Sequence, residues 1–132
     1  MPTSDDAAPI LRILIADDDR SFAGILSIVL ESDERVAVVG CAADGLEAVA
    51  LVGELAPDVV LMDLCMPRMD GIEATRRICA DHASLRVVVV SGSDAPTEIA
   101  RACAAGAAAY VPKDRICDEL LAAVLSPTRF AA

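Results

Sequence analysis

Four places in this 132-residue sequence carry groups able to do chemistry together: the run Asp17-Asp18-Asp19, the acid Asp63, the hydroxyl of Ser91 and the amine of Lys113. Each comes just after a short apolar run, namely Leu11 to Ala16, Val59 to Met62, Val87 to Val90 and Ala108 to Val111. If those runs lie side by side, Asp17, Asp18 and Asp63 share one crevice and repel one another unless a cation neutralises them. Hard oxygen ligands with positions to spare suit Mg²⁺ or Mn²⁺, so the cluster predicts a divalent metal. A carboxylate beside such a cation can attack a phosphoryl group in line while an ammonium absorbs charge on the transferring oxygens. Asp63 is then the nucleophile and Lys113 the ammonium. Ser91 offers a hydroxyl that bonds a phosphoryl oxygen once it arrives, a group that moves when the site fills.

Taken singly, the same residues have plainer readings. The three acids suit the first turn of a helix, Asp63 suits a loop cap, and Lys113-Asp114-Arg115 suits an exposed charged turn. It is their convergence on one edge that favours chemistry.

That convergence has to be built by the elements between. The apolar runs, with a fifth from Val36 to Cys41, alternate with amphipathic stretches of helical period at about 21–31, 45–55, 71–82, 96–105 and 115–125. Val87-Val88-Val89-Val90 shows no polar alternation, so both faces of that strand must be covered, as in a parallel sheet between two layers of helices. The fold class is therefore α/β, a doubly wound (βα)₅ sandwich around a five-stranded sheet. Turn residues mark the joints: Asp44-Gly45, Ala56-Pro57-Asp58, Met69-Asp70-Gly71, Gly92 with Pro96, and Gly106. In such sheets ligands bind beyond the carboxyl ends of the strands, at the topological switch point.

The chain length fits one domain, expected over residues 10–126, with a disordered leader at 1–9 and a short tail at 127–132. Hydrophobic residues make up 55% and aromatics only 2%, so Val, Leu, Ile and Ala must fill the core. The net charge of −10 repels phosphate backbones and argues against direct nucleic-acid binding. The sequence has no long apolar run and its first residues are acidic, which predicts a cytoplasmic protein without membrane attachment. Five scattered cysteines show neither CxxC pairs nor histidine neighbours, and are expected to be small buried hydrophobes.

The segments ILIADDD, DVVLMDLCMPRMDGIEATRRI, VVVVSGS and GAAAYVPKD together resemble the receiver domain of two-component response regulators, over residues 11 to about 125. The most specific piece runs from Met62 to Gly71, where an acid is followed at fixed spacing by Met-Pro and Asp-Gly. The resemblance implies a flavodoxin-like strand order 2-1-3-4-5. It implies phosphorylation of Asp63 by a histidine kinase or a histidine phosphotransfer protein. Asp18 and Asp63 would ligate Mg²⁺ directly, the Cys65 backbone carbonyl would complete the protein ligands, and Asp17 would act mainly through a metal-bound water. Ser91 and Tyr110 fall at the family's hydroxyl and aromatic switch positions, with the fourth helix, fifth strand and fifth helix as the output surface. Tyr110 also reads as a plain core aromatic.

Two departures bear on the branch of the family. Asp19 stands where the DNA-binding transcription regulators often carry His, and Asp114 stands where single-domain chemotaxis regulators carry Pro. These place the chain nearer the transcription regulators, without their helix-turn-helix effector: a stand-alone receiver or a piece of a longer protein. Cys65 and Ser93 occupy positions whose side chains, in the family, help or hinder the water that hydrolyses the acyl phosphate. Neither is an acid or an amide, which predicts slow dephosphorylation.

In the first helix the apolar arc through Ile28, Ile25, Val29, Phe22, Leu26, Leu30 and Ala23 covers about 220°, more than one core face needs. Ile25 and Ile28 are the excess. They are expected to be partly exposed, as a surface for a kinase or phosphotransfer helix or for a homodimer, the plainer alternative being a deeply packed helix.

A competing function is a Mg²⁺-dependent phosphatase or phosphotransferase with an Asp nucleophile. Such enzymes usually place a second Asp two residues later as general acid, a position held here by Cys65, so the chain is not expected to turn over an external substrate. A degenerate receiver that only binds partners would have lost an active-site residue, and flavin binding sits badly with an acidic crevice.

Overall fold

The computed structural model describes residues 10–126; the expected leader and tail lie outside the described residues. Five strands and five helices alternate: β1 Leu11–Ala16, α1 Arg20–Glu31, β2 Val36–Ala42, α2 Gly45–Leu55, β3 Val59–Asp63, α3 Gly71–Asp81, β4 Arg86–Ser91, α4 Pro96–Ala105, β5 Ala109–Pro112 and α5 Ile116–Leu125. A single 3₁₀ turn, Lys113–Arg115, leads into α5. The strands form one parallel sheet, as the apolar runs predict, in the order β2-β1-β3-β4-β5 that the family resemblance implies.

Alternation along the central strands divides the core in two. Ile13, Ile15, Val59, Leu61, Val88 and Val90 pack on the α1/α5 side with Leu26, Leu30, Leu120 and Val124. Leu14, Val60, Met62, Val87 and Val89 face α2, α3 and α4, meeting Val52, Ile78 and Ala102. Most of these side chains are fully buried on both faces, which is why β4 reads as unbroken valine. At roughly 1.5–3 kcal/mol for each buried aliphatic side chain, the two layers dominate the favourable terms.

Local chemistry fixes where the helices start. Asp19 caps α1 by accepting from Ser21 N and Phe22 N, Asp44 caps α2 through Glu47 N, and Asp70 caps α3 through Glu73 N. Glu47 reaches back to accept from Ala43 N at 2.6 Å. α2 ends on Ala56 in the left-handed region (φ 49°, ψ 57°), just before Pro57. Gly71 lets α3 close onto the end of β3, since a Cβ there would run into the Asp63 carbonyl oxygen.

The expectation of buried cysteines is corrected. Cys41, Cys65, Cys103 and Cys117 are exposed and Cys79 is half-buried. Helical spacing gives the inward positions of α4 to Ala102 and Ala105, and those of α5 to Ile116, Leu120 and Val124, leaving Cys103 and Cys117 outside. The excess apolar positions on α1 fall where the arc predicts: Ile25 is 48% and Ile28 74% exposed. No helix among the described residues is long and apolar enough to cross a membrane.

Candidate functional site

Strand register assembles the site. Ala16 pairs with Met62, so Asp17 and Asp63 leave adjacent strands side by side. Asp63 pairs with Val90, one residue before Ser91, and Ser91 pairs with Pro112, one residue before Lys113. β1 lies between β2 and β3, which makes its carboxyl end the switch point of the sheet. A crevice of about 580 Å³ opens there, lined by Asp17, Asp18, Asp63, Cys65, Ser91 and Lys113 among others. Each residue that the sequence assigned to the metal and phosphoryl chemistry therefore reaches one cavity.

Asp17, Asp63 and Ser91 are buried, with 5%, 6% and 4% of their surface exposed, while Asp18 is open to solvent. Lys113 Nζ stands 3.6 Å from Asp17 Oδ2 and 3.5 Å from Asp63 Oδ1, longer than committed hydrogen bonds. Burial pushes the Asp63 carboxyl above its ordinary pKa and the charge of Asp17 pushes the same way. Lys113 and the Cys65 backbone N–H only partly oppose them.

The donor set fits a hard divalent cation. One carboxylate oxygen from each of Asp17, Asp18 and Asp63 lies within 4.8 Å of the others. Asp17 Oδ1 accepts from Asp19 N at 2.8 Å, whereas Asp17 Oδ2 is buried with no hydrogen-bond donor. Three carboxylates facing one ammonium leave two negative charges unbalanced, the charge that Mg²⁺ would cancel.

At the end of β4, Ser91 Oγ accepts from Ser93 N at 3.2 Å and lies 3.5 Å from Glu98 Oε1. Tyr110 is half-buried on β5, and its hydroxyl donates to the Ser93 carbonyl at 2.6 Å. The hydroxyl thus ties the ring to the β4–α4 loop, while the ring itself packs against the α2/α3/α4 core layer. Burial, with the charges of Glu98 and Asp94, raises the phenol pKa and keeps it a donor.

Two neighbours escaped the sequence reading. Glu98, in the first turn of α4, lines the crevice. Its signal was available, since the first turn of a helix that follows a strand in this fold faces the strand ends. Phe22 lies with its ring centroid 4.6 Å from Lys113 Nζ. In the sequence it was one more member of the α1 apolar arc, and nothing in its spacing singled it out. Ile25 and Ile28 lie outside the crevice on the exposed face of α1.

The comparisons with known proteins agree with this geometry. The family described as the response regulator receiver domain matches residues 13–125. The chain is 46% identical over 106 residues to protein-glutamate methylesterase/protein-glutamine glutaminase 4 of Geobacter metallireducens, covering 78% of this chain and 30% of that protein. It is 35% identical over 119 residues to the transcriptional regulatory protein LiaR of Bacillus subtilis, covering 90% and 56%. The chain thus spans under a third of the first relative and just over half of the second. Among solved structures, the signal receiver domain of the response regulator NarL from Mycobacterium tuberculosis superposes with a TM-score of 0.85 at 33% identity, covering 89% of this chain and 95% of that one. Because the family match runs from the first strand to the end of the last helix, the chain belongs to the response regulator receiver domain family.

Proposed function

We propose that this receiver domain accepts a phosphoryl group on Asp63 from the phosphohistidine of a kinase or phosphotransfer protein, and that filling the site changes the α4-β5-α5 surface. The observation that carries this reading is a buried carboxylate at a strand end, facing an ammonium at 3.5 Å and two further acids that supply a hard-cation site. Asp18, Asp63 and the Cys65 carbonyl would hold Mg²⁺ or Mn²⁺, with Asp17 reaching it through water. When bound, the cation neutralises the carboxylates and draws charge from the phosphoryl oxygens.

The protein's own groups do the rest. An Asp63 oxygen bonds to phosphorus as the bond from phosphorus to the donor nitrogen breaks. Lys113, held by two carboxylates without a short bond to either, re-aims its protons at the new phosphoryl oxygens. Ser91, 3.5 Å from Glu98, exchanges that weak contact for a charge-assisted hydrogen bond to the phosphoryl group. Movement of Ser91 pulls on the loop whose Ser93 carbonyl holds Tyr110, which frees the ring to turn.

The partner face is assigned to α1, where Ile25 and Ile28 would meet an apolar helix of the phosphodonor or a second copy. If so, Ile28→Glu changes either the rate of transfer from a protein donor or the oligomeric mass; no change in either removes the assignment. Cys65 and Ser93 line the crevice and neither orients water as an acid or amide would, so the acyl phosphate is long-lived. The domain acts as a signalling switch, catalysing only its own phosphorylation and slow dephosphorylation, without contacting nucleic acid or membrane, in the cytoplasm.

The test is incubation with a small acyl phosphate and Mg²⁺, followed by intact mass. One added phosphoryl group that requires the metal and is absent from Asp63→Asn supports the reading; an equal adduct on the variant refutes it.

A further inference from the structure

Lys113 is the only lysine in the chain, so the site has one ammonium and no substitute for it. Its Nζ lies 3.6 Å from Asp17 Oδ2, 3.5 Å from Asp63 Oδ1 and 4.6 Å from the centroid of the Phe22 ring. The ring comes from the first turn of α1, while Lys113 enters from the 3₁₀ turn after β5. A cation within about 6 Å of a ring centroid is attracted by the negative π-face.

Phe22 is itself held on two sides. Its ring is partly buried against the α1/α5 core layer, and its backbone N–H donates to Asp19 Oδ1 at 3.1 Å in the α1 cap. This gives Asp19 a role in the site without placing it on the metal: it fixes the turn that carries the ring.

An aromatic face differs from a third carboxylate in one decisive respect. It attracts the ammonium without accepting a directed hydrogen bond, so the lysine protons remain available for phosphoryl oxygens. It also covers the apolar flank of a side chain that is 29% exposed, narrowing the directions in which the amine can swing.

We propose that Phe22 is a positioning residue that holds the Lys113 ammonium over Asp63 by a cation–π contact, before and during phosphoryl transfer. The kinetic part of this rests on Asp63 as the phosphoacceptor; the contact itself does not.

The experiment uses the whole chain labelled with carbon-13 in lysine alone, which gives side-chain signals from Lys113 only. The ring should displace the Cε protons upfield. Phe22→Leu should return them toward the position of free lysine, and Phe22→Tyr should keep the displacement. In parallel, Mg²⁺-dependent adduct formation from a small acyl phosphate should slow roughly 3- to 10-fold in Phe22→Leu and recover in Phe22→Tyr. Phe22→Ile provides a second aliphatic replacement if the leucine variant melts early. Lysine signals unchanged in both aliphatic variants overturn the assignment. So does an unchanged rate, or equal slowing in the leucine and tyrosine variants. If the wild-type protein takes no phosphoryl group, the Asp63 reading fails and the lysine signals alone decide the contact.

Discussion

The Lys113 ammonium stands 3.5 Å from Oδ1 of Asp63, close enough to steady the carboxylate and too far to spend a full hydrogen bond on it. Removing the amine, as in Lys113→Met, leaves buried Asp17 and Asp63 facing each other without a counter-charge. Losing one partner of a buried ionic group costs a few kcal/mol. The variant is therefore expected to melt lower in metal-free buffer and to form its phosphoryl adduct about 10²- to 10³-fold more slowly. Melting curves in chelator and the adduct rate by intact mass check the two halves separately.

The raised pKa of Asp63 gives a pH dependence of definite sign. The folded state holds this proton more tightly than the unfolded chain does. Protonated Asp63 therefore adds stability at low pH, and that stability is lost as pH rises through the raised folded value. At neutral pH in chelator the ionised carboxylate is a net cost. Asp63→Asn should then raise metal-free stability by about 1 kcal/mol. Mg²⁺ should stabilise the wild-type protein by about 2.7 kcal/mol at one hundred times its dissociation constant and stabilise Asp63→Asn much less. Thermal melts with and without Mg²⁺ at two pH values test both statements.

The lifetime of the acyl phosphate should be set by what is missing at two side chains. Cys65 and Ser93 line the crevice but neither can hold a water by a strong acceptor or an amide pair. A phosphorylated sample freed of donor should keep its label for minutes or longer, and Cys65→Asn should shorten that time. Decay within seconds in the wild-type protein would contradict this account.

Far from the site, Ala56 closes α2 with φ at 49°, a conformation that crowds a Cβ and suits glycine. It is exposed and followed by Pro57. Ala56→Gly is expected to stabilise the domain by about 1 kcal/mol, read as a melting temperature higher by roughly 3–5 °C. An unchanged or lower melting temperature would mean that the entropy of the added glycine in the unfolded chain outweighs the relief.

How far the sequence could be read follows from what kind of signal each feature carries. Strand ends were legible because unbroken apolar runs stop abruptly at Asp17, Asp63 and Ser91, and parallel pairing then forces those residues together. The exposed positions of Ile25 and Ile28 were legible from helical period. The cysteines were misjudged because a preference for burial is weak beside the helical period, which places Cys103 and Cys117 on the outer faces of α4 and α5. Left-handed Arg68 and Ala56 carry side chains that give no warning of a positive φ. The irregular step in the β1–β2 register, between Ile13 and Leu14, falls where Leu14 pairs with Gly40, and a glycine inside an apolar strand was a signal for it that went unread. Phe22 and Lys113 lie ninety-one positions apart in sequence and meet only because α1 and the end of β5 flank the same crevice.

The central claim is that the phosphoryl group goes to Asp63, and the most direct measurement is chemical trapping of the acyl phosphate. The protein is loaded with a small acyl phosphate and Mg²⁺, reduced with borohydride, digested and sequenced by mass spectrometry. Hydride reduction of an aspartyl phosphate yields homoserine at the modified position. Homoserine at position 63, dependent on both donor and Mg²⁺, is the result this account predicts. Homoserine at position 17 or 18, or a stable phosphate on a cysteine, serine or histidine with position 63 untouched, would contradict it.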